Sequence, residues 1–324
     1  MPQQSDSTGQ VSTATKPSRA FVILNAQSGS CVVDDVKREL ANHFGEVELR
    51  FHELTKGEDL AAIVADAIAE GFERVVAGGG DGTISSVASL LVGSRVPLAV
   101  LPLGTANVLA RELGIPTDLA GACRLAASRC VEEGRAAKTS KVLSIDAMKV
   151  GHRHYLTQVG VGIDALMIQN TSTESKRKLG RLAYLITLVK HLIAFQPHRF
   201  TITVDGVARK DKLSQVVVAN TGMMGQPPFR WGPDIHPDDG QLNICLIKSA
   251  GVADYLRLFW VVFRGHVEKT PNMQHQKFTK AMTIASKHRI PVQADGEIWG
   301  DTPVTIEVVP QALRVIVPVD DPAI

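Results

Sequence analysis

Residues 75–83 read Val-Val-Ala-Gly-Gly-Gly-Asp-Gly-Thr, an apolar run that meets four glycines and an aspartate. A helix-like segment follows at once, residues 84–91. The order is that of a buried strand, a tight turn and a helix N-terminus. Glycine, with no Cβ, lets the backbone take positive φ and approach a ligand closely. The first N–H groups of a helix lack intrahelical acceptors and, with the helix dipole, favour an anion such as phosphate. No lysine follows these glycines, so the G-x-x-x-x-G-K-S/T phosphate loop is absent. Asp81 among anion-binding amides makes sense if it helps to place Mg²⁺, or orders water and backbone around it. A glycine-rich strand-to-helix turn with no ligand would read the same way.

Such a turn has to be held by the elements around it. Apolar runs at 21–24, 75–77 and 97–101 and an alternating run at 47–51 predict strands. Helical spacing predicts helices over 33–44, 59–69, 84–91 and 108–113. Helices between short apolar strands make βαβ units and a parallel sheet. Ligands of such sheets bind outside the carboxyl ends of the strands. Three loops fall there: 25–29 (Asn25, Ala26, Gln27, Ser28, Gly29), 78–83 and 102–107. Three unrelated glycine loops would have no need to share one edge.

From about residue 144 the pattern changes. Segments 144–150, 155–159, 200–204, 215–219, 242–247, 278–285 and 304–309 read as strands between turns or long loops. This predicts a mostly antiparallel β domain. Helical stretches interrupt it at 181–195 and 253–267, and a last apolar strand, 313–317, suits either domain.

Composition narrows the function. At 324 residues there is room for two domains. A net charge of +2 gives no global basic field, which argues against nucleic acid as a partner. Cys31, Cys123, Cys130 and Cys245 show no C-x-x-C spacing and read as free buried thiols in a reducing compartment. Residues 1–19 have almost no apolar content, so disorder is expected there and a secretory signal is not. No run of about 18 apolar residues exists, so the expectation is a cytoplasmic protein without a transmembrane helix.

Taken in order, these loops resemble those of the diacylglycerol kinase catalytic family, which includes soluble bacterial lipid kinases, sphingosine kinases and ceramide kinases. Residues 25–29 look like its N-P-x-S-G loop and 78–83 match its G-G-G-D-G-T signature. Residues 102–107 look like P-x-G-T-x-N, 237–242 resemble a D-D-G-x-L turn, and 292–297 are similar to a V-x-x-D-G-E segment. Two positions depart: Ala26 replaces the usual proline, and Val108 stands where many members carry aspartate. The resemblance implies an α/β nucleotide domain with a parallel sheet over 20–143, rejoined by a C-terminal strand at 312–324. A β-sandwich lipid-substrate domain over 144–311 would pack on it, with the site in the cleft between them.

It also implies roles. Gly79, Gly80, Asp81, Gly82, Thr83, Ile84 and Ser85 would cradle the phosphates of ATP, with the 25–29 loop as a second set of amides and Thr105 in the third loop. Thr83 suits helix capping as well as ligand contact. Thr55 matches a nucleotide-contacting position, and also begins an S/T-x-x-E capping box with Glu58. Asp295 would be the general base for a lipid hydroxyl, with Glu297 assisting through water or metal. The bland reading of Asp295 is an Asp-Gly hairpin turn. Asp239 resembles the side-chain ligand of a structural Mg²⁺, with the carbonyls of His236 and Gln241, and Asp146 aligns with an acid near that metal.

The reaction so implied is transfer of the γ-phosphoryl group of ATP to a lipid hydroxyl, with diacylglycerol as the leading acceptor. Lys176, Arg177, Lys178 and Arg181 before the apolar stretch 182–195 suit transient docking on an anionic membrane, and equally a core helix with a basic start. The apolar stretch 255–263 is a second candidate path for acyl chains. The oligomeric state stays open, a homodimer included. The rival readings are an NAD kinase or phosphofructokinase-type enzyme and a non-catalytic lipid or nucleotide sensor.

Overall fold

A computed structural model of the chain describes residues 18–26, 33–128, 139–170, 197–248, 251–265 and 270–319. The expectations for Gln27, Ser28, Gly29, Cys31, Cys130, Lys176, Arg177, Lys178, Arg181, the 181–195 helix and most of the N-terminal tail fall outside these residues.

The first half is layered α/β. Strands β1 (Arg19–Leu24), β2 (Glu48–Glu53), β3 (Arg74–Gly79) and β4 (Leu98–Pro102) pair in parallel in the order β2-β1-β3-β4. β3 and β4 are buried at every position, as expected of apolar runs covered on both faces. Edge strand β2 alternates exposed and half-buried residues instead. The covering helices are α1 (Val33–Phe44), α2 (Leu60–Ala69), α3 (Asp81–Leu91), α4 (Val108–Glu112) and α5 (Leu119–Ala127). α1 shows why: Val36, Leu40 and Phe44 recur at four-residue spacing and are its buried residues. Leu24 sits opposite Gly78 and Gly79 opposite Pro102, so the predicted loops leave the sheet at one edge.

The second half begins with β5 (Ser140–Val150), β6 (Arg153–Tyr155), β7 (Gln158–Gly162) and α6 (Ile163–Asn170). Next come β8 (His198–Val204), β9 (Val207–Leu213), β10 (Gln215–Ala219), β11 (Leu242–Ile247) and α7 (Val252–Phe263). It ends with β12 (Met273–Phe278), β13 (Ala281–Ser286), β14 (Pro291–Ala294), β15 (Glu297–Asp301) and β16 (Val304–Pro318). A six-stranded sheet, β12-β11-β10-β7-β14-β15, is antiparallel throughout. Its inner face packs Val159, Val216, Ile244 and Val292 against Ile202, Met282 and Ile306 of a second layer, which makes a sandwich core.

That second layer is continuous with the parallel sheet through β16. At Val315 this strand pairs in parallel with Leu98 of β4; from Val304 to Glu307 it pairs antiparallel with β13, and along its length with β5. The sequence divides this stretch at Pro310, but the strand runs through. The proline and Gln311, at φ 48°, lie in a register shift between Val309 and Leu313, a bulge rather than an end. Conversely, the segments read as single strands at 155–159 and 278–285 are each cut in two.

The fold is therefore an α/β half with a mostly parallel sheet and an antiparallel β-sandwich half. Cys123 and Cys245 are buried, and burial pushes the Cys245 thiol well up. Among the described residues no helix is long and apolar enough to cross a membrane.

Candidate active site

The glycine loop is built by close approach, not by positive φ. None of Gly78, Gly79, Gly80 or Gly82 has positive φ. A Cβ on Gly79 would lie 2.7 Å from the Thr83 Cβ, and one on Gly104 would lie 2.7 Å from the Gly80 Cα. The 78–83 and 102–107 loops thus touch backbone to backbone, which side chains would prevent. Helix α3 starts at Asp81, three residues before the apolar pattern, with extended Gly80 as its N-cap.

Asp81 joins these two loops. Its Oδ2 accepts from Asn107 N at 2.9 Å and its Oδ1 from Val108 N at 2.6 Å. The carboxylate therefore caps α4, whose own N-cap Asn107 is left-handed at φ 51° and makes no side-chain cap. The Asn107 side chain closes the third loop: Oδ1 accepts from Gly104 N, and Nδ2 donates to the carbonyls of Gly104 and Pro102. Both Asp81 oxygens are engaged by backbone, so its role here is to order backbone, one of the two uses its type suggests.

Thr83 does not cap α3. Its Oγ1 accepts from Asn25 Nδ2 at 2.9 Å, tying the β1 loop to the β3 loop, while Asn25 N donates to the Gly78 carbonyl. Thr55 does not cap α2 either. That helix is capped by Asp59, which accepts from Ala61 N and Ala62 N. Glu58 Oε2 instead takes Thr55 N at 3.0 Å and His52 Nε2 at 2.9 Å, and His52 with these donors draws its carboxyl down to about 2.

Asp295 faces this edge from the second half. It occupies the left-handed region, at φ 46°, in the two-residue turn between β14 and β15. Its Oδ1 accepts from Thr157 N at 2.9 Å, Thr157 Oγ1 at 2.6 Å and Gln158 N at 3.0 Å. Its Oδ2 accepts from Leu156 N at 2.9 Å and Ser85 Oγ at 2.6 Å. Behind the turn, buried Gln293 accepts from Gly296 N and donates to Asp164 Oδ2, both at 3.0 Å. Asp164 is half-buried at the start of α6, and desolvation pushes its carboxyl up to about 6 against the hydrogen bonds of Gln293 and Ala165.

Ser85 and Asp295 form the wall between two cavities. One, of about 250 Å³, is polar: Gly82, Ser86, Ser89 and Glu297 face His152, Arg153 and His154. A Cβ on Gly82 would lie 3.7 Å from Glu297 Oε1, so the late Asp-Gly-Glu segment meets the glycine loop directly. The other, of about 210 Å³, is largely apolar: Ile84, Val108, Leu109, Leu156 and Met223. Val108, in place of a carboxylate, adds to its apolar lining. The His-Arg-His tip between β5 and β6 is absent from the expected site; its only sequence signal is three basic types in a row beside Gly151.

A hairpin at 222–231 holds the halves together. Buried Glu112 of α4 accepts from Met223 N at 2.9 Å and pairs with Arg230 Nη2 at 2.9 Å. At the tip, Gln226 Nε2 donates to the Thr105 carbonyl at 3.2 Å, the one described contact of Thr105 with this hairpin's side chains.

The expected metal site lies elsewhere, and a lysine stands at its one side-chain donor. Asp239 Oδ1 accepts from Gln241 N, and Oδ2 pairs with Lys277 Nζ at 3.2 Å. An ammonium already neutralises the single carboxylate that would bind, and a dication at the same oxygen would repel it. His236 is exposed. Asp146, read as metal-neighbouring or solvent-facing, is fully buried and accepts from Gln311 N and Gly240 N. Burial pushes its carboxyl up, with Asp239 and Asp238 adding to the effect.

Known proteins fit this geometry. Residues 19–139 match the model of the diacylglycerol kinase catalytic domain, and residues 157–317 that of the YegS C-terminal NAD kinase beta sandwich-like domain. A diacylglycerol kinase of Bacillus subtilis is 28% identical over 292 residues, 88% of this chain and 91% of its own. A diacylglycerol kinase of Mycobacterium tuberculosis is 29% identical over 266 residues, covering 80% and 82% of the two chains. An uncharacterized protein of Synechocystis sp. is 28% identical over 256 residues, 78% of this chain but 56% of its own length. The solved structure of a diacylglycerol kinase from Bacillus anthracis superposes with a TM-score of 0.73 at 25% identity, covering 95% of this chain and 99% of that one. With one model on each half and kinases among both relatives and structural neighbours, the chain belongs to the diacylglycerol kinase catalytic-domain family of bacterial lipid kinases.

Proposed function

We propose that the protein transfers the γ-phosphoryl group of ATP to the hydroxyl of a lipid, with diacylglycerol as acceptor and phosphatidic acid as product. The observation that carries this reading is the position of Asp295: its carboxylate stands between a polar cavity beside the glycine loop and an apolar cavity. Phosphoryl transfer needs an anion cradle, an acceptor seat and a proton acceptor between them.

ATP enters as its Mg²⁺ complex, the metal neutralising charge on the phosphates. The N-terminal amides of α3, from Asp81 to Thr83, meet the phosphates, and Arg153 adds a positive charge across the cavity. The acceptor hydroxyl takes the place of the Ser85 hydroxyl on Asp295 Oδ2. Of the five donors on Asp295, Ser85 Oγ–H and Thr157 Oγ–H can leave by rotating a side chain; the other three are backbone N–H groups. As the acceptor oxygen bonds to Pγ, its proton passes to Oδ2 and the bond from Pγ to the β–γ bridging oxygen breaks, releasing ADP. The apolar lining from Ile84 to Met223 suits an acyl-bearing acceptor better than NAD, the competing acceptor.

The test is turnover of labelled ATP by purified protein with diacylglycerol, ceramide, a sphingoid base, phosphatidylglycerol and NAD in parallel. Label in phosphatidic acid supports the proposal. Label in NADP instead, or none with any acceptor, rejects it.

A further inference from the structure

Helix α7 is apolar on two faces, and among the described residues nothing covers one of them. Leu258 and Val262 are buried against the outer face of the six-stranded sheet. Leu256, Phe259, Trp260 and Phe263 are 65%, 55%, 52% and 46% exposed. Their spacing of i, i+3, i+4 and i+7 puts them on one stripe. The rings are in contact: Phe259 and Phe263 lie 6.3 Å apart, Trp260 and Phe263 5.9 Å, and Phe229 sits 5.4 Å from Phe259. A contiguous exposed apolar patch of this kind marks a surface that meets an apolar partner.

Three observations point to a bilayer. Arg257 and Arg264 are exposed beside the stripe, and the Arg264 guanidinium stacks 4.7 Å over the Trp260 ring. Apolar and aromatic side chains flanked by arginines are the composition of a helix lying in the membrane interface, with cations at the level of anionic headgroups. Asp254 is the one acid of this helix and lies in its first turn. The stripe is also continuous with the site. Phe229 belongs to the same hairpin whose Met223 and Gly225 line the apolar cavity and whose Gln226 holds the third loop. A lipid leaving the bilayer at this face has one hairpin to pass before reaching Asp295.

We infer that the exposed stripe of α7, with Phe229, is the face by which this chain docks on an anionic lipid bilayer. The inference rests on the lipid-kinase reading for its purpose, while the binding step is measured without any substrate.

The experiment is co-sedimentation of full-length protein with phosphatidylcholine–phosphatidylglycerol vesicles free of diacylglycerol. The variants are the wild type, the triple variant F259S/W260S/F263S and Trp260→Phe, which keeps a ring and removes the reporter. The wild type should bind, with its tryptophan fluorescence quenched by brominated lipid. Trp260→Phe should bind equally but lose most of the quenching. The triple variant should bind about tenfold more weakly or less, at an unchanged melting temperature. Undiminished binding by the triple variant, or quenching that persists in Trp260→Phe, overturns the inference. So does a triple variant that loses a dimer or its cooperative melting, since a second copy or residues 171–196 would then cover the stripe. Trp260-dependent binding without phosphorylation of any lipid leaves the docking face standing and removes the kinase reading. Lipid phosphorylation that is equal in wild type and triple variant does the reverse.

Discussion

Ser85 Oγ donates to Asp295 Oδ2 at 2.6 Å across 210 residues of sequence, and this bond joins the first helix of the glycine loop to the β14–β15 turn. Asp295→Asn replaces an acceptor oxygen by a donor among five donors, so turnover should fall by about a hundredfold to ten-thousandfold. Ser85→Ala removes one donor from Oδ2 and leaves the Leu156 N–H and the carboxylate in place, so turnover should stay within about tenfold of wild type. Both are read by steady-state lipid phosphorylation. An equal loss in the two variants would make Ser85 an obligatory carrier of the proton.

Asp81→Ala should cost about 1–3 kcal/mol of stability, because it leaves the N–H groups of Asn107 and Val108 without their carboxylate. Urea denaturation measures this, and ATP titration should show weaker binding as the third loop loosens. Wild-type stability combined with an altered Mg²⁺ requirement would return Asp81 to a metal role.

Asp164 sets a pH window. Its native carboxyl titrates at about 6 against 3.8 for the ordinary group, so the folded state keeps a proton that the unfolded chain has released. The stability from this group is complete below about pH 4 and is lost as pH rises through about 6, to the extent of about 3 kcal/mol. Asp164→Asn should flatten the urea midpoint over that window. It should also disturb activity, since Asp164 orients Gln293 and thereby the Asp295 turn. A pH profile identical to wild type would mean that another group titrates there.

Lys277 should make the protein indifferent to Mg²⁺ in the absence of nucleotide. The wild-type melting temperature is expected to stay flat with rising Mg²⁺, and Lys277→Met to gain a Mg²⁺-dependent rise as Asp239 becomes available. A wild-type rise that Asp239→Ala abolishes would sink this account and restore the metal.

The carboxyl-edge loops were legible because an apolar run meeting glycine is a local signal, and Gly78–Gly79, Pro102 and Asn25 do lie at one level of the sheet. The work of Asp81 was not, since its partners are 26 and 27 residues away. Four of the five donors of Asp295 lie 137 to 139 residues away on β7 and the turn before it, and no period or propensity encodes such a pairing. Strand β9 escaped because Val207–Leu213 is mostly exposed and carries four charges in a row, Arg209 to Lys212, which an edge strand tolerates. The Glu112–Arg230 clamp joins two charges 118 residues apart, which no local pattern pairs.

Strand β16 has a consequence for how the chain is made. Residues 304–318 leave the ribosome after every strand they pair with, β4, β5 and β13 alike. Until then the far side of β4 is an open row of backbone donors and acceptors, a template for strands of other nascent chains. Synthesis therefore carries a window of vulnerability about 200 residues long, from Leu98 to Val304, that closes when the strand slots in. The pieces of the catalytic cleft acquire their common frame at that same late moment.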